Sequence, residues 1–151
     1  MHHPFMDRLR KPFFADLAKL VLRVAVGAIF ISHGKSKLFG GLAMTTGFFD
    51  KIGIPMPGFC APFIGGLEFF GGILLILGLG TRLLGLLLAA DMLVAVAVAK
   101  KGVLAKSELE ALLGAVSLSL LFSDAGAYSL DAWLLKRSRK AHEASLPVAK
   151  P

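Results

Sequence analysis

The sequence predicts an all-α integral membrane protein: a four-helix bundle with a short interfacial lid helix and a C-terminal interfacial helix. Three observations predict it. Hydrophobic residues make up 56% of the 151 residues, above the roughly 45–50% usual in soluble domains. Four apolar runs lie between short, basic connections. The few ionisable residues inside those runs recur at helical spacing with glycines, as in helices that bury a polar, small-residue face against one another. The length suits one domain over residues 1–151. The net charge of +7 does not suggest nucleic acid, because the basic residues flank apolar runs.

Residues 1–11 form a basic tail, and Pro12 suits the first turn of a helix. The first span is expected over about 14–39. No small-residue cleavage site follows it, so it reads as a retained span and not a signal peptide. Arg23, Gly27, Phe30, Gly34 and Lys37 share one stripe of this span, with His33 on its shoulder, and the glycines permit close helix approach. Residues 42–52 suit a short amphipathic helix that turns Phe48 and Phe49 towards the membrane, either as a lid lying in the interface or within a plain connecting loop. Gly53 would end it, and Pro55 and Pro57 prevent its continuation.

The second span, 61–79, holds one ionisable residue, Glu68. About 19 helical residues cover roughly 30 Å, the thickness of a bilayer core. Ala61, Gly65, Gly72 and Leu79 share the face of Glu68, so the carboxylate should look into the bundle. Gly78, Gly80 and Thr81 predict a tight turn, with Arg82 anchored at the interface. The third span, 83–99, contains Asp91. The fourth, 108–123, opens with a capping-box pattern, Ser107 and Glu110. Residues 129–140 read as an interfacial helix with Trp133 at headgroup level, and the last residues read as disordered. Counted by side, ten Lys and Arg accompany the termini and the Arg82 turn, against six on the other side. That asymmetry predicts a multi-pass protein with both termini in the cytoplasm.

The chemistry-bearing candidates fall in two layers. Counting helical rise from the inner face puts Glu68, Asp91 and Arg23 at similar depth. A lone charge there costs roughly 2.5 kcal/mol or more. The three are therefore expected to form one buried cluster that handles protons, with one acid protonated because two carboxylates share one cation. His33, Lys37 and Glu110 form a second layer nearer the outer face, with His33 in reach of Glu68 through a water. The structural alternatives are plain. A buried ion pair can simply fix helix register, His33 can be a satisfied helix-end residue, Glu110 a cap and Arg82 an anchor. Cys60, the single cysteine, reads as inert. Paired haem ligation, a phosphate-binding loop and a dithiol are absent, and no metal site is expected.

The segments LRVAVGAIFISHGKSKLFG, FFDKIGIPMP, GGLEFFGGILLILGLGTRL, LAADMLVA and GAYSLD together resemble the DoxX family of small bacterial membrane proteins, over roughly residues 17–135. The resemblance implies a four-span bundle and a link to quinone-coupled redox chemistry, because name-giving relatives are membrane subunits of a thiosulfate:quinone oxidoreductase. The positions that match the family pattern are His33, Lys37, Glu68, Arg82, Asp91, Tyr128 and Asp131. The expected roles are then Glu68, Asp91 and Arg23 in proton handling, and His33, Lys37, Glu110, Arg82 and Tyr128 in ligand binding. Two functions are expected to compete. One is a quinone-binding subunit that takes electrons from a soluble redox partner. The other is a non-enzymatic scaffold or small-solute carrier, as a homo-oligomer, whose buried charges serve helix assembly.

Overall fold

The computed structural model describes residues 12–145. Within them the chain is all-helical: α1 Pro12–Lys35, α2 Leu42–Lys51, α3 Pro57–Leu77, α4 Thr81–Val94, α5 Glu108–Phe122 and α6 Leu130–Ser145. The basic tail, residues 1–11, and residues 146–151, of which the latter are expected to be disordered, lie outside the described residues. α1 and α4 each run on into a single π turn, Ser36–Gly40 and Ala95–Ala99. α3, and α4 taken to Ala99, are long and apolar enough to cross a membrane. Their outward faces carry Phe70, Leu83 and Leu93, each more than half exposed. Large apolar faces of this extent call for an apolar surrounding.

Glycines set the helix contacts. A Cβ on Gly27 would come within 2.7 Å of the Gly72 carbonyl, and one on Gly34 within 2.6 Å of the Gly65 carbonyl. α1 and α3 therefore meet backbone to backbone along the stripe that the sequence predicts. α4 meets α5 the same way at Gly85, where a Cβ would lie 2.7 Å from the Ser117 carbonyl. Between these contacts Val26, Phe30, Leu75, Leu84, Leu88, Met92, Leu113 and Leu120 form one core.

The α3–α4 turn uses left-handed backbone at Gly78 and Gly80 (φ +70° and +64°), where a side chain would be strained. The C-terminal segment clasps this turn. Asp131 accepts from the Gly80 and Thr81 amides at 2.9 and 3.2 Å, which caps α4, and its own amide donates to the Gly78 carbonyl at 3.0 Å. Arg23 Nη2 donates to the Tyr128 carbonyl beside it. Lys19 pairs with Asp124 on the same side, and that ion pair holds the Asp124 carboxyl below the usual carboxylate range. Loss of a capping carboxylate costs about 1 kcal/mol. Asp131→Ala is expected to lower the melting temperature by about 2–4 °C, with Asp131→Asn recovering part of it, in thermal denaturation of the detergent-solubilised protein.

Three local readings change. The capping box does not form: Ser107 Oγ donates to the Val103 carbonyl at 2.9 Å, and Glu110 pairs with Lys100 at 3.4 Å. α2 occupies its predicted place and ends before Gly53 (φ +78°), but Phe48 and Phe49 border an internal cavity. The C-terminal helix runs past Lys140 to Ser145, and its Trp133 ring carries the Arg137 guanidinium at 5.3 Å, a cation–π contact that shields both groups.

Candidate functional site

A cavity of about 660 Å³ lies at the end of the helices remote from the clasp. α1, α3 and α4 form its walls and α2 lies over it. Its lining is mostly apolar: Met44, Phe48, Phe49, Ile52 and Ile54 come from α2 and its exit, and Phe63, Ile64 and Leu67 from α3. Leu87, Ala95 and Val98 come from α4 and its π turn. The polar lining consists of Lys37, Glu68, Asp91 and His33, with Lys100 and Glu110, Thr45 and Cys60.

The polar centre is built from three helices. Lys37, in the π turn after α1, donates from Nζ to Glu68 Oε1 at 2.6 Å. Glu68 is fully buried and Asp91 is 9% exposed. The Asp91 carboxyl stands close enough to Glu68 and Lys37 to feel the charge of both. Glu68 Oε2 and Asp91 Oδ2 are buried with no hydrogen-bond partner among the described residues. Two acids and one ammonium therefore share a site with two open acceptor positions, where burial makes an unmet polar atom cost about 1–3 kcal/mol. His33 borders the same cavity, and Lys100 with Glu110 stands near its edge. Cys60 donates from Sγ to the Pro55 carbonyl at 3.2 Å.

Arg23 is not part of this centre. The expected cluster of Arg23, Glu68 and Asp91 is replaced by one of Lys37, Glu68 and Asp91. Arg23 is fully buried at the clasp, against the Tyr128 carbonyl and in the field of Asp131. Helical side chains lean towards their helix N-terminus. Arg23 on α1 therefore leans to the clasp, Lys37 leans down towards the bundle centre, and Glu68 on antiparallel α3 leans up to meet it. Of the expected ligand-binding residues, His33, Lys37 and Glu110 border the cavity. Arg82 lies at the clasp end, its Nε donating to the Ser123 carbonyl at 3.3 Å. Tyr128 is also there, its half-exposed ring edge-on to Phe13 at 6.4 Å. Sequence reasoning missed the phenylalanine lining and the π turns. The paired Phe48 and Phe49 were a visible signal for the first, whereas nothing in composition marks the second. Among the described residues no group of three His, Cys, Asp or Glu side chains could hold a metal ion.

Residues 18–101 match the DoxX family, more than half of the chain. The chain belongs to the DoxX family. Residues 61–150 of this DoxX protein also match DoxD, described as the TQO small subunit. Relatives include CatD of Bacillus subtilis, named as a candidate oxidoreductase, 33% identical over 84% of this chain and 94% of its own. The uncharacterized membrane protein Rv3486 of Mycobacterium tuberculosis is 33% identical over 79% and 82%. An uncharacterized protein of Haemophilus influenzae is 36% identical over 87% of this chain and all of its own. No solved structure matches. A DoxX chain with two helices of membrane length and broad apolar outer faces is a membrane protein.

Proposed function

We propose that this DoxX protein is the membrane subunit of a quinone-linked oxidoreductase system. In this reading α1, α3, α4 and α5 cross the bacterial inner membrane as a four-helix bundle within one domain over residues 1–151. α2 and α6 lie in its two interfaces, and both termini are cytoplasmic. The observation that carries the reading is the cavity, a chamber lined by Phe48, Phe49 and Phe63 with Lys37 against the buried carboxylates Glu68 and Asp91 at one side. A ring with carbonyl acceptors and an apolar tail fits a lining of this kind. The open acceptor atoms of Glu68 and Asp91 also fit a ligand that becomes a donor when reduced.

A bound quinone would supply two-electron, two-proton chemistry. Lys37 and His33 would donate hydrogen bonds to its carbonyl oxygens, and Glu68 with Asp91 would hold one exchangeable proton between them. The phenylalanines and α2 would keep water from the ring. The cavity side chains handle protons and not electrons, so a soluble redox partner would supply the electrons. The DoxD match and the oxidoreductase name of CatD support membership of such a system.

Protein extracted in native-lipid discs is expected to yield quinone on solvent extraction. His33→Ala is expected to weaken binding of added decylubiquinone about tenfold, the loss of one hydrogen bond worth roughly 1.4 kcal/mol. Native-lipid protein with no quinone and no affinity for it would overturn the proposal. The clasp favours a second reading, in which the chain is a scaffold or small-solute carrier acting as a homo-oligomer. There the buried Arg23 serves the helix turn and not the cavity. Pull-down from native membranes separates the two: redox proteins support the first, self-association alone the second.

A further inference from the structure

We infer that the Glu68–Asp91 pair exchanges protons with one side of the membrane only, the side covered by the lid helix α2. The inference deepens the proposed function and rests on its membrane-spanning arrangement, not on the identity of the ligand.

Three observations carry it. First, among the described residues, the titratable groups that line the cavity with the pair all come from the lid end. They are His33 and Lys37 from α1 and its π turn, Cys60 from α3, Lys100 from the turn after α4, and Glu110 from α5. α2 contributes Met44, Thr45, Phe48 and Phe49 and no titratable side chain. The Lys100–Glu110 pair at 3.4 Å is partly exposed, 38% and 21% for the two side chains, and offers a way in from that side.

Second, the way to the clasp end is closed by side chains without polar atoms. Below Glu68 and Asp91 the buried positions are Leu75 on α3, Leu84 and Leu88 on α4, and Phe30 and Val26 on α1. Phe30, Leu75 and Leu88 are fully buried. On α5, Leu120 beside Gly85 completes the layer. The glycine contacts Gly27–Gly72 and Gly85–Ser117 leave no room for even a methyl group between the helix backbones, and so none for water.

Third, the distance is too long for what lies between. Ten residues separate Glu68 from Gly78 and Asp91 from Thr81, about 15 Å along each helix. A proton relay over that span needs about five links of roughly 2.8 Å. Among the described buried polar side chains only Ser117 stands between the two ends, and its hydroxyl has no partner. The clasp-end groups Thr81 and Arg23 are thus cut off from the pair. With both termini cytoplasmic, the open side is the outer one.

A proton jump tests this without any quinone. The protein is reconstituted in sealed vesicles whose interior pH is clamped by buffer, and only the external pH is stepped. Time-resolved infrared follows the carboxyl band of the pair, assigned with Glu68→Gln and Asp91→Asn. The fraction of molecules with the clasp end outward is read separately by an impermeant thiol reagent on Ser138→Cys in a Cys60→Ser background, Ser138 being exposed on α6. The expected response is biphasic. The fast amplitude equals the lid-outward fraction, and the remainder follows at least a hundredfold more slowly, at the rate of vesicle leak. A single fast phase, a fast amplitude that tracks the clasp-outward fraction, or the lack of any responding carboxyl band overturns the inference.

Should the pair variants fail to fold, native Cys60 in the cavity wall gives a second readout. The same reagent should modify it at least tenfold faster in vesicles with the lid end outward. Equal rates from both sides, or modification from neither, overturn the inference as well. A biphasic proton response in protein that binds no quinone would leave the sidedness standing while the ligand assignment fails. Quinone binding with a single fast phase would do the reverse.

Discussion

Gly34→Leu is expected to destroy the contact between α1 and α3. A Cβ at Gly34 would lie 2.6 Å from the Gly65 carbonyl and closer still to the Phe69 amide nitrogen. These are backbone atoms of a facing helix, so no rotamer change relieves the overlap. Overpacking usually costs about 1–3 kcal/mol. Here whole helices must separate, and the upper end of that range or more is expected. For a chain of this size about 3 kcal/mol lowers the melting temperature by roughly 10 °C. Gly66→Ala is the internal control, because nothing lies within 4 Å of the added methyl. It should leave stability unchanged or raise it by up to about 1 kcal/mol, the helix preference of Ala over Gly. Thermal denaturation followed by circular dichroism in the same detergent compares the two. Equal, small shifts would mean that α1 and α3 do not meet where the glycines put them.

The second large effect is expected from Lys37→Met. The substitution removes the ammonium that sits 2.6 Å from a fully buried carboxylate. It leaves Glu68 and Asp91 together with no cation. Breaking a buried pair from one side costs about 3–5 kcal/mol. The lysine is partly exposed, which sets the expectation near 3 kcal/mol. Glu68→Gln in the same chain removes the surplus charge while keeping the shape. The double variant should therefore be more stable than Lys37→Met alone, by more than about 1 kcal/mol of coupling. Losses that add as independent sites would show that the ion pair does not hold the structure. Binding of added decylubiquinone should be lost in Lys37→Met and only weakened in Glu68→Gln, since the lysine is the donor in the proposed site.

The helices were legible because they follow from length and apolar run. The small-residue stripes of α1 and α3 were also legible, since Gly27, Gly34, Gly65 and Gly72 recur at helical spacing and do meet. The inward direction of Glu68 follows from the same face, and its full burial agrees. The identity of its cation was not legible. Depth counted along the axis treats a side chain as a point at its Cα. Arginine and lysine reach several ångströms along the helix, and in the direction set by the Cα–Cβ bond. That reach sends Arg23 to the clasp and brings Lys37 to Glu68. The role of Asp131 was hidden for another reason. Its partners, the amides of Gly80 and Thr81, lie some fifty residues earlier in the chain, and backbone donors leave no mark in a sequence.

The two π turns, Ser36–Gly40 and Ala95–Ala99, flank the chamber on opposite walls. A π turn is an α-helix that has taken in one surplus residue. Removing a residue from Ser36–Gly40 would let α1 continue as a plain helix, and every later position would rotate by about 100°. The chamber's furnishing is thus a matter of phase as well as of identity: a one-codon deletion at either rim could unhook the lid or swing the far wall aside while every charged residue remained in the chain.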